Sequence, residues 1–260
     1  MKEGDGLYCY ERFFPADPLA AFVKFFYYFH GRSDQSERIL PQSLAEITFN
    51  LGRDGMESFI VPAGCKPYFV VPSGLDRIIG VCLHPWALHA LFNLPPGQLG
   101  DAKLPLTNVL RIPCEKMTGC ITNATSPREM ISNLDAYLTA SIGDMQHIVI
   151  RDAIGFIDRQ YGQIKLSQFY QRYSHSSRRL QMLFEESIGL SPKKYSRLKR
   201  FHYAVSLLTP AKSLTSLALD AGYYDQAHFV HEFRAFSGTH PRQFLQESNQ
   251  LNAINARTWF

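Results

Sequence analysis

The sequence predicts a two-domain α+β protein, with strands dominating the N-terminal part and helices filling the C-terminal part. Three observations predict it. Short β-type runs bounded by Gly, Pro, Asn and Asp give way to apolar residues at helical spacing from about residue 126 onward. The charge divides along the chain: residues 150–260 carry 15 Lys/Arg against 8 Asp/Glu, and residues 1–149 carry 12 against 15, so +7 faces −3. The basic part also contains an internal repeat, the mark of one supersecondary unit used twice.

The 260 residues suffice for two domains of ordinary size, divided at 1–145 and 146–260. An apolar share of 45% and a charged share of 19% are those of a soluble globular protein. No apolar run approaches the roughly 20 residues of a membrane helix; the best, "AFVKFFYYFH", contains Lys24. "MKEGDGLYCYER" has no signal-peptide pattern. Cys9, Cys65, Cys82, Cys114 and Cys120 show no CxxC spacing, so they are expected as reduced, mostly buried thiols of a cytoplasmic protein.

In the N-terminal part, "SLAEITFNLG" and "DRIIGVCLHP" predict strands, and "HPWALHALFNL" a brief helix. The dense aromatics of "RFFPADPLAAFVKFFYYFHG" predict packed core. Residues 126–145 predict a helix with Pro127 in its first turn. Its stripe of Ile131, Leu134, Leu138 and Ile142 is too aliphatic for a free surface, so it packs on its own domain or pairs with a second subunit.

The repeat aligns "FEESIGLSPKKYSRL" with "FRAFSGTHPRQFLQE". Phe184/Phe233, Gly189/Gly238, Pro192/Pro241, Lys193/Arg242 and Tyr195/Phe244 share an offset of 49. In the second copy a helix runs to about Ala221, and Gly222 permits the left-handed turn that ends it. Asp225 can cap the next helix, which buries Phe229, Phe233 and Phe236. Helix, glycine turn and capped helix make a helix-turn-helix. In the first copy Ser176 takes the capping role, and Leu180, Leu183 and Phe184 face inward. Between the copies, Tyr195, Leu198, Phe201, Val205 and Leu208 stripe one linking helix of roughly 17 residues.

In a helix-turn-helix the outward face of the second helix enters the DNA major groove. That face carries Ser177, Arg178, Gln181 and Met182 in the first unit, with Arg179 at its edge. In the second it carries Gln226, Ala227, Val230, His231 and Arg234. Arg can fork onto guanine or hold a phosphate, Gln can pair bidentately with adenine, and Ala and Val can touch thymine methyls.

Residues 150–246 resemble the DNA-binding domain of the AraC/XylS family of bacterial transcription regulators, through the paired units and above all through "SLALDAGYYDQAHFVHEFRAFSGTHPRQF". The first unit departs from the family pattern: Tyr170 stands where a small residue is usual and Ser174 where the turn glycine is usual. The resemblance implies base contacts at Arg178, Gln181 and Met182, and at Gln226, Ala227, Val230 and His231. "LPQSLAEITFNLG" and "IIGVCLHPWALHALFNLPPGQLGDAKLPL" are similar to the sensory domain of one subset of the family. That similarity implies a cupin-like β-barrel followed by dimerisation helices.

The expected function is therefore a DNA-binding transcription regulator, with operator DNA and RNA polymerase as partners, a small-molecule effector, and a homodimer. No cofactor or metal is expected. A cupin can hold a metal through His and carboxylates, but His30, His84, His89 and His147 form no HxH pair. GxSxG, P-loop and GxGxxG motifs are absent from the sequence. A metal-dependent cupin enzyme with a DNA-binding appendage and a constitutive DNA binder without effector are the alternative classes.

Overall fold

The computed structural model describes residues 8–32, 37–52, 55–64, 66–70, 75–100, 102–143, 148–173 and 176–247. Cys65, His147 and Ser174, named above, lie outside them. The strands are β1 (Tyr8–Phe13), β2 (Val23–Arg32), β3 (Glu37–Ile39), β4 (Ala45–Gly52), β5 (Gly55–Val61), β6 (Tyr68–Val70), β7 (Leu75–Leu83) and β8 (Leu104–Pro105). β1, β2, β7, β4, β5 and β8 form one antiparallel sheet in that order, and β3 pairs with β6.

Alternation decides the two faces of the large sheet. Phe26 pairs with Val81, Val81 with Ile47, and Ile79 with Phe49, and all of these are fully buried on one face. The opposite face carries Phe25, Tyr27, Glu46 and Cys82. There the Tyr27 ring fills the space beside Gly80, where a Cβ would stand 1.9 Å from a ring carbon. Tyr27 donates to the buried Glu46 carboxylate at 2.6 Å. Burial raises the pKa of that carboxyl. Of the aromatic segment, Phe22, Phe25 and Phe26 are core as its composition predicts, Phe13, Tyr27, Tyr28 and Phe29 are half-buried, and Phe14 is exposed.

The sheet is open, with β1 and β8 as its edges among the described residues. The closed barrel expected from the family resemblance is therefore not what these strands form. β8 has only two residues, too few to carry the ladder around to β1.

The helices α1 (Ala87–Phe92), α2 (Leu106–Val109), α3 (Arg111–Thr122) and α4 (Pro127–Ala140) complete the N-terminal part. Ser126 caps α4 by accepting from Glu129 N at 3.3 Å, and Pro127 sits in the first turn. α4 is shorter than the sequence pattern suggests, because Ser141 already closes it. Its Ile131, Leu134 and Leu138 are buried within the chain, against α3 and the common core, and Ile142 is half-buried beside them. The stripe is thus satisfied inside one molecule and gives no argument for pairing.

The C-terminal part is α5 (Ile148–Arg159), α6 (Leu166–Gln171), α7 (Ser177–Ile188), α8 (Pro192–Leu207), α9 (Leu214–Asp220), α10 (Gln226–Ser237) and α11 (Pro241–Gln246). It packs on the N-terminal part as one continuous core. The buried Leu190 covers Gly64, Arg38 pairs with Glu247 at 2.8 Å, and His202 Nε2 lies 2.7 Å from the Pro41 carbonyl. Pro96 and Gly97 meet the C-terminal end of α7 backbone to backbone, at Glu185 and Gly189. Cys82 and Cys114 are buried, Cys120 is half-buried and Cys9 is exposed, all free.

Candidate nucleic-acid interface

The repeat seen in the sequence is a repeat of structure. α7 and α10 each span 12 residues and begin and end 49 positions apart. Both have a side-chain cap at the residue before. Ser176 Oγ accepts from Arg179 N at 3.2 Å, and Asp225 Oδ1 accepts from His228 N at 2.7 Å. Both end on a left-handed glycine, Gly189 at φ 74° and Gly238 at φ 77°. Both are followed by a helix with proline in its first turn, α8 and α11. Phe184 and Phe233, at equivalent positions, are fully buried.

The turn before α10 forms as its residues demand. Gly222 has φ 74°, and a Cβ there would lie 2.7 Å from Gln163 Oε1. Ala218 is fully buried, small enough for close helix crossing. In the first unit Tyr170 is only half-buried, turned edge-on to Phe169. The bulky residue is accommodated at the margin of that unit's core.

Ser177, Arg178, Arg179, Gln181 and Met182 are all exposed on α7, Met182 to 49% of its surface. Gln226, Ala227, His231 and Arg234 are exposed on α10, and Val230 is half-buried beside the core. Each helix thus exposes its expected set to solvent, apart from the half-buried Val230. Between the two helices runs α8, whose 16 residues span about 24 Å.

Two features of this region escape the residue-type reading. The first is Glu232, an acid within α10 that is only 3% exposed. It accepts from Arg197 Nε at 2.5 Å and Arg200 Nη2 at 3.2 Å, both on α8. Arg200 also stacks over Tyr223, 4.7 Å from the ring centre, and burial pushes the Tyr223 phenol well above its ordinary pKa. The spacing of the sequence held this signal: Glu232 follows Phe229 by three and precedes Phe236 by four, so helical periodicity alone turns it inward. The second is Thr215 of α9, whose hydroxyl donates to Gln226 Oε1 at 2.7 Å.

Among the described residues no group of three or more His, Cys, Asp or Glu side chains is placed to hold a metal ion. No helix there is long and apolar enough to cross a membrane.

Comparison with known proteins agrees with this geometry. Residues 170–247 match a family described as a helix-turn-helix domain. Residues 11–105 match a domain of unknown function (DUF6597). Over 102 residues the chain is 28% identical to the HTH-type transcriptional regulator ExsA of Pseudomonas aeruginosa. That match takes in 38% of this chain and 37% of ExsA, so the chain spans little more than a third of this curated relative. Among solved structures, a probable AraC family transcriptional regulator from Rhodopseudomonas palustris is 27% identical, with a TM-score of 0.34. It covers 38% of this chain and 95% of that one. ToxT from Vibrio cholerae is 11% identical over 84% of this chain and 95% of its own, with a TM-score of 0.43. The C-terminal part is a double helix-turn-helix domain. By that domain and its motif the chain is similar to transcription regulators of the AraC/XylS family.

Proposed function

We propose that the chain is a cytoplasmic, sequence-specific DNA-binding transcription regulator rather than an enzyme. The observation that carries this is the duplicated helix, capped at the same position in each copy, with an exposed polar and cationic face. The proposed DNA contacts are Ser177, Arg178, Arg179, Gln181 and Met182 on α7, and Gln226, Ala227, Val230, His231 and Arg234 on α10. The basic C-terminal part supplies the attraction to phosphate, and base edges in the groove supply the selectivity. With α8 between them, the two helices would enter successive major grooves, about 34 Å apart along one face of a duplex.

The division at 145/146 assigns the first part to sensing and the second to DNA. The N-terminal part, cupin-like by resemblance, would bind a small-molecule effector. Its contacts with α7 and α8 would pass the signal on, since both helices belong to the DNA-binding domain. RNA polymerase and a second copy of the chain are the protein partners that the family resemblance suggests.

The test is full-length protein titrated onto labelled duplex DNA at rising salt. Binding should fall steeply with salt as phosphate contacts release counterions. Failure of the folded chain to bind any duplex at low salt overturns the proposal.

A further inference from the structure

The two helix-turn-helix units are joined twice. The first link is α8, which is covalent. The second is the loop between α5 and α6, which reaches across to the turn of the second unit. This loop is built under constraint. Tyr161 and Gly162 are consecutive left-handed residues, at φ 51° and 74°. A left-handed backbone disfavours a residue with a Cβ, so Tyr161 is held there by its surroundings. Its ring stacks on Tyr203 of α8, 4.4 Å between centres. Gly162 is buried against the α8 backbone, where a Cβ would overlap the Ser196 carbonyl oxygen. Gln163 comes next, and its side chain fills the space that a Cβ on Gly222 would need, with Oε1, Cδ and Cγ all within 2.8 Å of that position. Its Nε2 also donates to the Asp220 carbonyl at 3.3 Å.

Gly222 therefore serves two ends. It permits the turn ahead of α10, and its bare Cα admits Gln163. The loop belongs with the first unit, because α5 packs on α7 and Phe156 of α5 meets Phe169 of α6. The contact at Gly222 thus joins the body of the first unit to the turn that aims the second recognition helix. It bypasses α8. Two bodies seated on one helix can still tilt by shifting their seats, and a contact that bypasses the helix resists that motion.

We propose that Tyr161, Gly162 and Gln163 set the spacing between the two halves of the DNA site, by holding the second unit against the first. They act as positioning residues and need touch no base. The proposal rests on the reading of α7 and α10 as major-groove helices. One base pair more or fewer between the half-sites moves the second by about 3.4 Å and turns it by about 35°. A chain whose units are fixed to one another must give up contacts to follow that shift. A chain with the loop contact loosened can follow it.

The experiment uses the full-length chain. A binding selection over randomised duplexes first gives the preferred site. That site is then rebuilt with one or two base pairs added or removed between its halves, and affinities are measured for wild type, Gln163→Ala and Gln163→Met. Wild type should lose about tenfold for the first base pair added or removed, the scale of one mismatched position. Gln163→Ala empties the space beside Gly222. It should keep the base preferences and nearly the affinity of wild type at the preferred site, and lose only about threefold on the altered one, half the penalty on a free-energy scale. Gln163→Met keeps the length of the side chain and should retain the wild-type penalty. Gln163 is exposed, so both variants spare the core, and thermal melts check this. A folded Gln163→Ala chain that shows the full wild-type penalty overturns the proposal and spares the DNA-binding reading, because a contact serving stability alone lowers the melting temperature and leaves spacing untouched. A wild type that tolerates every spacing, or selects one half-site alone, overturns it as well. A wild type that enriches no sequence overturns both.

Discussion

Arg200 and Glu232 join the linker helix to the second recognition helix, Nη2 to Oε2 at 3.2 Å, with the carboxylate nearly sealed from water. Arg197 approaches the same carboxylate from one turn earlier on α8. The orientation of α10 is thus fixed by charge as well as by its phenylalanines. Glu232→Ala should cost roughly 3 kcal/mol, because it strands the mostly buried Arg200 while Arg197 keeps a third of its surface in water. Urea denaturation gives the loss. Hydrogen exchange should show faster opening of α10 than of α7. Uniform loss across both helices would mean that the pair does not act locally.

The glycines that end α7 and α10 form a natural control on the interdomain contact. Gly189 and Gly238 share φ 74° and 77°, but a Cβ on Gly238 meets open space, whereas one on Gly189 would lie 3.0 Å from the Pro96 backbone. Gly238→Ala should cost only the left-handed strain, about 1 kcal/mol. Gly189→Ala should cost clearly more and should loosen the N-terminal part from α7. Thermal melts measure the first difference, and protease sensitivity of the full chain the second. Equal costs would show that the close approach at Pro96 and Gly97 yields without resistance.

His202 predicts an acid-sensitive junction. Desolvation, with the nearby Lys199 charge adding to it, lowers its pKa to about 3 in the folded chain. A depressed histidine pKa means that the folded state holds the neutral form, so the unfolded state takes up the proton first. Stability is therefore full above about pH 6.5 and is lost as pH falls from there toward 3, by roughly 2 kcal/mol at pH 5. His84, lowered to about 4 by its own burial, adds in the same direction. Denaturation midpoints at pH 7 and pH 5 give the slope, and His202→Gln should flatten it. An unchanged slope in that variant would assign the acid sensitivity elsewhere.

The parts of this structure that were legible in the sequence are those in which local signals agree. The offset of 49 predicts the caps at Ser176 and Asp225, the terminal glycines and the paired prolines, because each is set by a few neighbouring residues. The strands around Ile47 and Ile79 follow from composition in the same way. Closure of the sheet does not, since it depends on how β8 ends and not on any strand's own pattern. The destination of the α4 stripe was also hidden: Leu134 looks the same in sequence whether α3 or a second subunit covers it. Glu232 was missed because residue type outweighed periodicity, and Thr215 because its partner lies 11 residues away across a turn.

The two recognition helices can be tested against each other. α7 and α10 carry equivalent faces but different chemistry at corresponding places: Arg178 of α7 corresponds to Ala227 of α10, and Met182 to His231. If both helices occupy major grooves, changes in each act on separate parts of one site. Arg178→Ala should weaken binding by roughly 1–3 kcal/mol and relax preference at one position if it forks onto guanine. His231→Ala should relax preference about one helical turn of DNA away. Arg234→Ala, lying near the end of α10, should lower affinity for all sequences alike and reduce the salt slope by about one, as loss of a phosphate contact does. The second-unit changes should cost at least as much as Arg178→Ala, because the first unit carries Tyr170 at the margin of its core where the second has the fully buried Ala218. A binding selection with wild type and each variant resolves the positions. Arg178→Ala and His231→Ala disturbing the same bases, or neither disturbing any, would rule out two helices in two grooves.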